Sequence, residues 1–599
     1  MEKIEIVRGA ASLQYGTQFG GLLNFKLKQG PEDQKVAVVA RQTIGTFGIA
    51  DTLSAALANR STFVSVGGGI GKVRYYFFAN LKDGQGWRRN SEYNVKTAHA
   101  NAQWDVSEKL ELSAELTTMS YLAKQPGGLV DSQFEQDPRQ SNRDRNWFKV
   151  AWNLASFNVN YHLNTFTDIS SKTFGLLASR QALGHLGDAG RVDPGGLRDL
   201  IYGRFRNVGN ETRILHRISH GEKISVLSAG VRVYSGYSQA KQGFGQDGNG
   251  PSFGFADEQM PFFSDYAFPN FNVALFTQEV IALGNNISIT PGLRFEYINT
   301  RSEGQVSESI LNGAGGIVET MTFTDERGRD RQFLLGGIGA SWKPSEKLEL
   351  YSNVSQNYRA INFTDIQLRN VGLMIDPDIQ DERGFNADIG ARGTKGVFRF
   401  DASVFMLKYN DRIGAYYTSI PDPILVEKPV RYRTNIADAR NLGVEGLVET
   451  EFAKLIDNEK LTSLKVFANT SWIDALYTSS TVAAFDGNRV ELVPTWTLRS
   501  GASAMFGAFS LAGQFSCTGE QFSDATNAIK TANGVDGIIP AYSVMDVSAA
   551  FQKHWFTLAL NVNNATNVKY FTRRAAGYPG PGVLPSDGRG VYLTAQLKF

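Results

Sequence analysis

From about residue 35 to its last residue, the chain alternates apolar and polar positions in one short run after another. Val591, Leu593, Ala595, Leu597 and Phe599 interleave with Tyr592, Thr594, Gln596 and Lys598, and Phe556, Leu558, Leu560 and Val562 interleave with Thr557, Ala559, Asn561 and Asn563. Leu110 to Leu116 and Phe398 to Met406 repeat the pattern. Successive strand side chains point to opposite faces, so a period of two predicts amphipathic strands and not helices. Roughly 22 such segments are expected, beginning near positions 35, 53, 72, 95, 109, 147, 157, 211, 223, 273, 287, 332, 347, 384, 396, 441, 461, 496, 509, 543, 555 and 589. Each is expected to run about ten residues, the length a tilted strand needs to cross a bilayer.

The connections between these segments alternate in length. Val106-Ser107-Glu108, His220-Gly221-Glu222, Gly284-Asn285-Asn286, Pro344-Ser345-Glu346 and Gln552-Lys553-His554 are tight, whereas roughly 120 to 146, 168 to 210, 235 to 272, 300 to 331, 357 to 383, 410 to 440, 475 to 495, 519 to 542 and 565 to 588 are long. An up-and-down barrel segregates loop length by side in this way, and a soluble sandwich or propeller has no reason to. The expected fold is therefore all-β, a transmembrane antiparallel barrel of about 22 strands whose lumen is wide enough to need a plug. Trp104, Trp147, Trp152, Tyr351 and Trp555 are candidates for the aromatic girdles at the two membrane interfaces.

Composition narrows the alternatives. At 599 residues the chain is too long for one ordinary soluble core. The 61 basic and 59 acidic side chains nearly cancel, so no overall field draws it to nucleic acid. A single cysteine, Cys517, excludes an internal disulfide framework, and the lack of an eighteen-residue apolar run excludes membrane-spanning helices. No apolar export segment follows Met1, so for an exported protein the true start is expected upstream.

Catalytic and metal motifs are equally sparse. Gly67-Gly68-Gly69-Ile70-Gly71-Lys72 is one residue short of a phosphate loop and reads as a turn. His216 and His220 share a strand face without an evident third ligand, and the acidic run Asp376, Asp378, Asp381 and Glu382 departs from calcium-loop spacing. No nucleophile elbow or His-Glu-x-x-His occurs, so the expectation is a protein that is not an enzyme, with no cofactor and no metal site.

Ahead of the first strand, Glu5, the Arg8-Gly9 pair, the Tyr15-Gly16 turn and Gly20-Gly21-Leu22-Leu23-Asn24 follow one another in an order that resembles the plug end of TonB-dependent outer-membrane transporters. Ala10 stands where that family usually has proline. Asn435 to Glu445, ending in Gly443-Val444-Glu445, resembles a barrel motif of the same family, and Phe599 resembles its terminal aromatic signal for the outer-membrane assembly machinery. Within the family, Tyr15 to Leu22 and Tyr578 to Gly582 look most like ferric-dicitrate transporters.

The resemblance implies a bacterial outer-membrane location, with residues 1–34 as the C-terminal end of a plug domain and 35–599 as the barrel. It further implies import of an iron chelate, ferric citrate or a siderophore, energised by an inner-membrane TonB complex through an N-terminal segment expected upstream of Met1. Arg8 and Glu445 are the candidate plug-to-barrel lock, because a buried cation needs an acidic partner. Since guanidinium forks match carboxylates, Arg139, Arg143, Arg145, Arg431, Arg433, Arg573 and Arg574 in the long loops are the candidates for holding an anionic chelate. The competing expectations are an importer of another cargo, such as a different siderophore, cobalamin or a glycan, and a plugless passive channel.

Overall fold

In the computed structural model, twenty-two antiparallel strands close into one barrel. The structure describes the chain apart from residues 1, 8–12, 17, 18, 20, 49–57, 188, 258–261, 312–316, 367–372, 423–425, 457, 459, 481, 578 and 579. Barrel strands consecutive in the chain are neighbours, and the first, Ala37–Phe47, pairs with the last, Gly590–Lys598, so no backbone edge is left in the bilayer. The tight connections expected from the sequence all fall on one rim, and both ends of the barrel lie on that rim. Residues that tolerate left-handed backbone make the tight turns, as at Gly71 (φ 60°) and the pair Asn285 and Asn286 (φ 49° and 58°).

The outer wall is apolar and open to its surroundings. Val404, Val444, Trp472 and Trp496 are register partners across four adjacent strands, and each is 41–53% exposed. Such a belt has no place on a soluble protein and is the surface that hydrocarbon covers. Near the tight-turn rim Trp104, Trp342, Trp555 and Phe599 are exposed, with Trp555 stacked on Phe599. Tyr351 departs from the expected girdle. It lines the lumen, and its hydroxyl donates to Asp401 Oδ1 at 2.8 Å.

Many strands are much longer than the ten residues expected. Ile287–Leu311 has 25 residues and Ile317–Ser345 has 29. At roughly 3.3 Å per residue and a tilt near 40°, 25 residues rise about 60 Å, twice the ~30 Å hydrocarbon core. The wall therefore stands well beyond the membrane on the long-loop side. Residues 168 to 210, expected as one loop, are mostly the strands Thr167–Gly184 and Arg198–His220, and position 157 lies inside the strand Trp147–Asn164 and starts none. Above the bilayer the outward residues turn polar, so alternation fades while backbone pairing continues.

Inside the barrel, Lys3–Val7 and Leu22–Lys26 form a two-stranded hairpin. The linker from it to the first barrel strand runs along Gly67, Gly68 and Gly69, and Gly69 N–H donates to Gln34 O at 2.8 Å. A β-carbon at Gly68 would collide with the backbone of Lys35. The glycine run is thus a track for close backbone approach, ending in the turn at Gly71.

Candidate functional site

The hairpin that enters the lumen is built around a carboxylate. Glu5 and Asn24 are register partners, and Asn24 Nδ2 donates to Glu5 Oε2 at 2.9 Å. Lys3 and Lys26 reach Glu5 Oε1 at 2.9 and 3.0 Å. Hydrogen bonds from Lys3, Lys26 and Asn24 hold the Glu5 carboxyl down at about 2. The glutamate and asparagine of the plug-like motif are thus two halves of one cross-strand contact.

Between the hairpin's strands, the described residues of the connecting segment are pinned by arginines on three wall strands within one sector of the barrel. Arg294, on Ile287–Leu311, donates to Leu13 O at 3.1 Å. Arg232, on Lys223–Gly245, donates to Tyr15 O at 3.4 Å, and the Arg213 guanidinium lies 4.9 Å from the Tyr15 ring centre. Leu13 is buried against Leu335 and Tyr358, and Phe19 stacks on Tyr409 with 4.1 Å between ring centres. The segment is therefore held at several points on the wall.

Directly against Tyr15 and Gly16 lies a cavity of about 520 Å³ whose wall includes Arg232, Arg294, Arg359, Glu296 and Asn272. Two of these arginines are already balanced. Arg294 Nε is 2.6 Å from Glu296 Oε1, both nearly fully buried, and Arg359 bridges Asp365 at 2.9 Å and Glu382 at 3.0 Å. Arg232 has no carboxylate partner among the described residues, and its Nε is buried without a hydrogen-bond acceptor. A buried donor left unmade costs about 1–3 kcal/mol, so this guanidinium is the group in the cavity with most to gain from an anion.

A second lumenal cavity, about 640 Å³, is bounded by Val7 and Phe19 of the amino-terminal segment and by Asn386, Tyr351, Asp401 and Glu445 of the wall. Glu445 thus faces the residue that precedes Arg8. Arg8 itself lies outside the described residues.

The loop arginines are placed differently from what their sequence positions suggested. Arg143 is buried and donates to Asn142 O, Arg191 O and Gly187 O. Arg574 is buried too, forms a two-pronged pair with Asp131 at 2.7 and 3.0 Å, and also donates to Gly534 O and Ile538 O. Arg145 forks onto Asp193 at 2.6 and 2.9 Å and reaches Asp247 at 2.8 Å. These three sew the outer loops to one another.

Arg433 lies 3.3 Å from Asp365, whereas Arg139 and Arg573 are exposed. Burial raises the Asp193 carboxyl, but hydrogen bonds from Arg145 and the Gly195 N–H outweigh it and leave the group below its ordinary value. In the acidic loop, Asp376 accepts from Thr434, Asp381 from Arg331 and Tyr358, and Glu382 from Arg359 and the Ile413 N–H. His216 pairs with Thr167, and no group of three or more potential metal ligands occurs among the described residues.

Sequence reasoning looked for ligand contacts in the loops and so missed Arg213, Arg232, Arg294 and Arg359, which stand in strands. The available signal was parity. Arginines on the polar face of an alternating strand point into the lumen.

A closed barrel with a lipid-facing belt, tall outer walls and a chain segment anchored in its lumen defines an outer-membrane transport barrel. Residues 67–565 match the family described as TonB dependent receptor-like, beta-barrel, and the chain belongs to that family. It is accordingly an outer-membrane protein of a family of receptors and transporters, not of enzymes.

Among solved structures, the unliganded ferric citrate transporter FecA is similar over 100% of this chain and 83% of its own, with 19% identity and a TM-score of 0.80. The ferric yersiniabactin uptake receptor FyuA from Yersinia pestis shares 14% identity over 100% of this chain and 85% of its own, with a TM-score of 0.78. The siderophore receptor PiuA from Acinetobacter baumannii shares 13% identity over 100% and 86%, with a TM-score of 0.75.

Proposed function

We propose that the protein imports an anionic iron chelate, ferric citrate or a siderophore of similar charge, through its lumen in a TonB-dependent cycle. The observation that carries this reading is the cavity against Tyr15, where Arg232 holds a buried, unsatisfied guanidinium edge beside two arginines already balanced by carboxylates. An incoming carboxylate supplies the missing acceptor, and Asn272 offers further polar contacts to a multidentate ligand. The solved structures named above include transporters and receptors of iron chelates, which supports the cargo class.

On this reading residues 1–34 are the end of a plug and 35–599 the barrel, with Arg8 and Glu445 locking one to the other. Arg139 and Arg573 meet the chelate first on the outer loops, and the inner-membrane TonB complex supplies the force. Titration calorimetry of the purified protein with ferric dicitrate and with metal-free citrate tests the cargo. Saturable binding of the iron complex is expected, with Arg232→Gln weakening it roughly 10- to 100-fold, the range for a lost charge-assisted hydrogen bond. Equal affinity in the variant, or no heat with any anionic iron chelate, would overturn the reading.

A further inference from the structure

Arg204 and Arg206 lie on the strand Arg198–His220, which also carries Arg213. Arg213 points inward to Tyr15, so by parity Arg204, Arg206 and Val208 point outward. Val208 and Leu177, the register partner of Arg206, are 54% and 61% exposed, as lipid-facing residues are. His220 marks the tight-turn rim, and Arg206 stands fourteen residues above it. A crossing strand needs about 9–11 residues, so both arginines lie just beyond the hydrocarbon core on the long-loop side.

Neither arginine makes a hydrogen bond or ion pair among the described residues, and both are exposed. Register places Lys149 and Lys241 in the neighbouring outward rows, and Lys241 pairs with Asp265 at 2.8 Å. On the four strands Trp147–Asn164, Thr167–Gly184, Arg198–His220 and Lys223–Gly245, no outward position at this level is a carboxylate. Beside the arginines, toward the strand Trp147–Asn164, lies a shallow depression of about 380 Å³ lined by Asn153, Leu177, Ser179, Tyr202, Arg204 and Arg206. It offers two planar cationic forks, a phenol, a hydroxyl and an amide, with an apolar floor below.

We propose that this patch binds the phosphorylated headgroup of an outer-leaflet lipid, with the two guanidinium groups on the phosphate and Leu177 and Val208 against the acyl chains. Position commits the occupant, because two arginines without a carboxylate partner among the described residues, at the level of the headgroups, meet lipid phosphate before any soluble anion. Guanidinium forks match phosphate oxygens in pairs, and burial of Leu177 and Val208 beneath acyl chains adds an apolar contribution that a free ion cannot supply.

The test uses the full chain in phosphatidylcholine nanodiscs doped with lipid A, with dephosphorylated lipid A, or with neither plus inorganic phosphate, and native mass spectrometry reads the bound lipid. Retention of phosphorylated lipid A is expected at least tenfold above the dephosphorylated form. It should fall by a similar factor in the Arg204→Gln/Arg206→Gln double variant and persist in Arg204→Lys/Arg206→Lys. The heat-modifiable gel mobility of a folded barrel, unchanged in both variants, controls for assembly. Equal retention in the glutamine variant, equal retention of dephosphorylated lipid, or displacement of lipid by millimolar phosphate would each overturn the proposal.

Discussion

Arg573 and Arg574 are adjacent in sequence and of the same type, yet one is exposed and the other is spent on Asp131, Gly534 and Ile538. Removing one partner of a buried ion pair costs about 3–5 kcal/mol because the other charge stays behind, whereas an exposed substitution stays within about 0.5 kcal/mol. Arg574→Ala is therefore expected to speed amide hydrogen exchange around 129–136 and 534–539 by roughly 100-fold or more, with Arg573→Ala unchanged. Similar exchange in the two variants would contradict the assignment.

Acid separates a second pair. The Asp193 carboxyl is depressed in the folded chain, so its contribution is present above the unfolded value near 4 and is lost as pH falls through the lower folded value. Exchange of the 187–197 amides, corrected for intrinsic rates, should rise below about pH 4 in the wild type, and Asp193→Asn should show the faster exchange already at pH 7. An Asp193→Asn loop as protected as the wild type at pH 7 would sink this account. None of this was legible in the sequence, because whether a loop arginine faces a ligand or another loop depends on contacts between residues such as Arg574 and Asp131, 443 apart.

At the scale of elements, alternation located the wall wherever lipid touches it. The last strands, with Leu560 and Leu593 outward, begin within a residue or two of their expected positions. It failed above the bilayer, where Arg204, Arg206 and Gln239 replace outward apolar residues and the period of two loses its contrast. The glycine run was read as a turn, but only its end at Gly71 turns; Gly67 to Ile70 belong to the strand Asn59–Ile70, and their packing role needed the linker's path. Gly68→Ala places a methyl against the Lys35 backbone and is expected to cost about 1–3 kcal/mol by overpacking. A lower urea midpoint for loss of the heat-modifiable band checks this, and an unchanged midpoint would mean that the linker does not ride the glycine track.

For the whole molecule, even strand number and loop asymmetry specified the barrel, and the family match over residues 67–565 agrees with that part. The lumen of this chain still holds cavities of about 520 and 640 Å³ around a short anchored segment. Purified chain in planar bilayers is expected to conduct ions, and membranes that stay silent at high protein occupancy would show that the segment seals the bore. The central claim, that an anionic iron chelate binds against Tyr15 and Arg232, is tested most directly by anomalous diffraction at the iron edge from crystals grown with ferric dicitrate. The account predicts an iron peak inside the arginine-walled cavity, with a ligand carboxylate on Arg232. Iron confined to the outer loops, or absent while the cavity stays accessible, would contradict it.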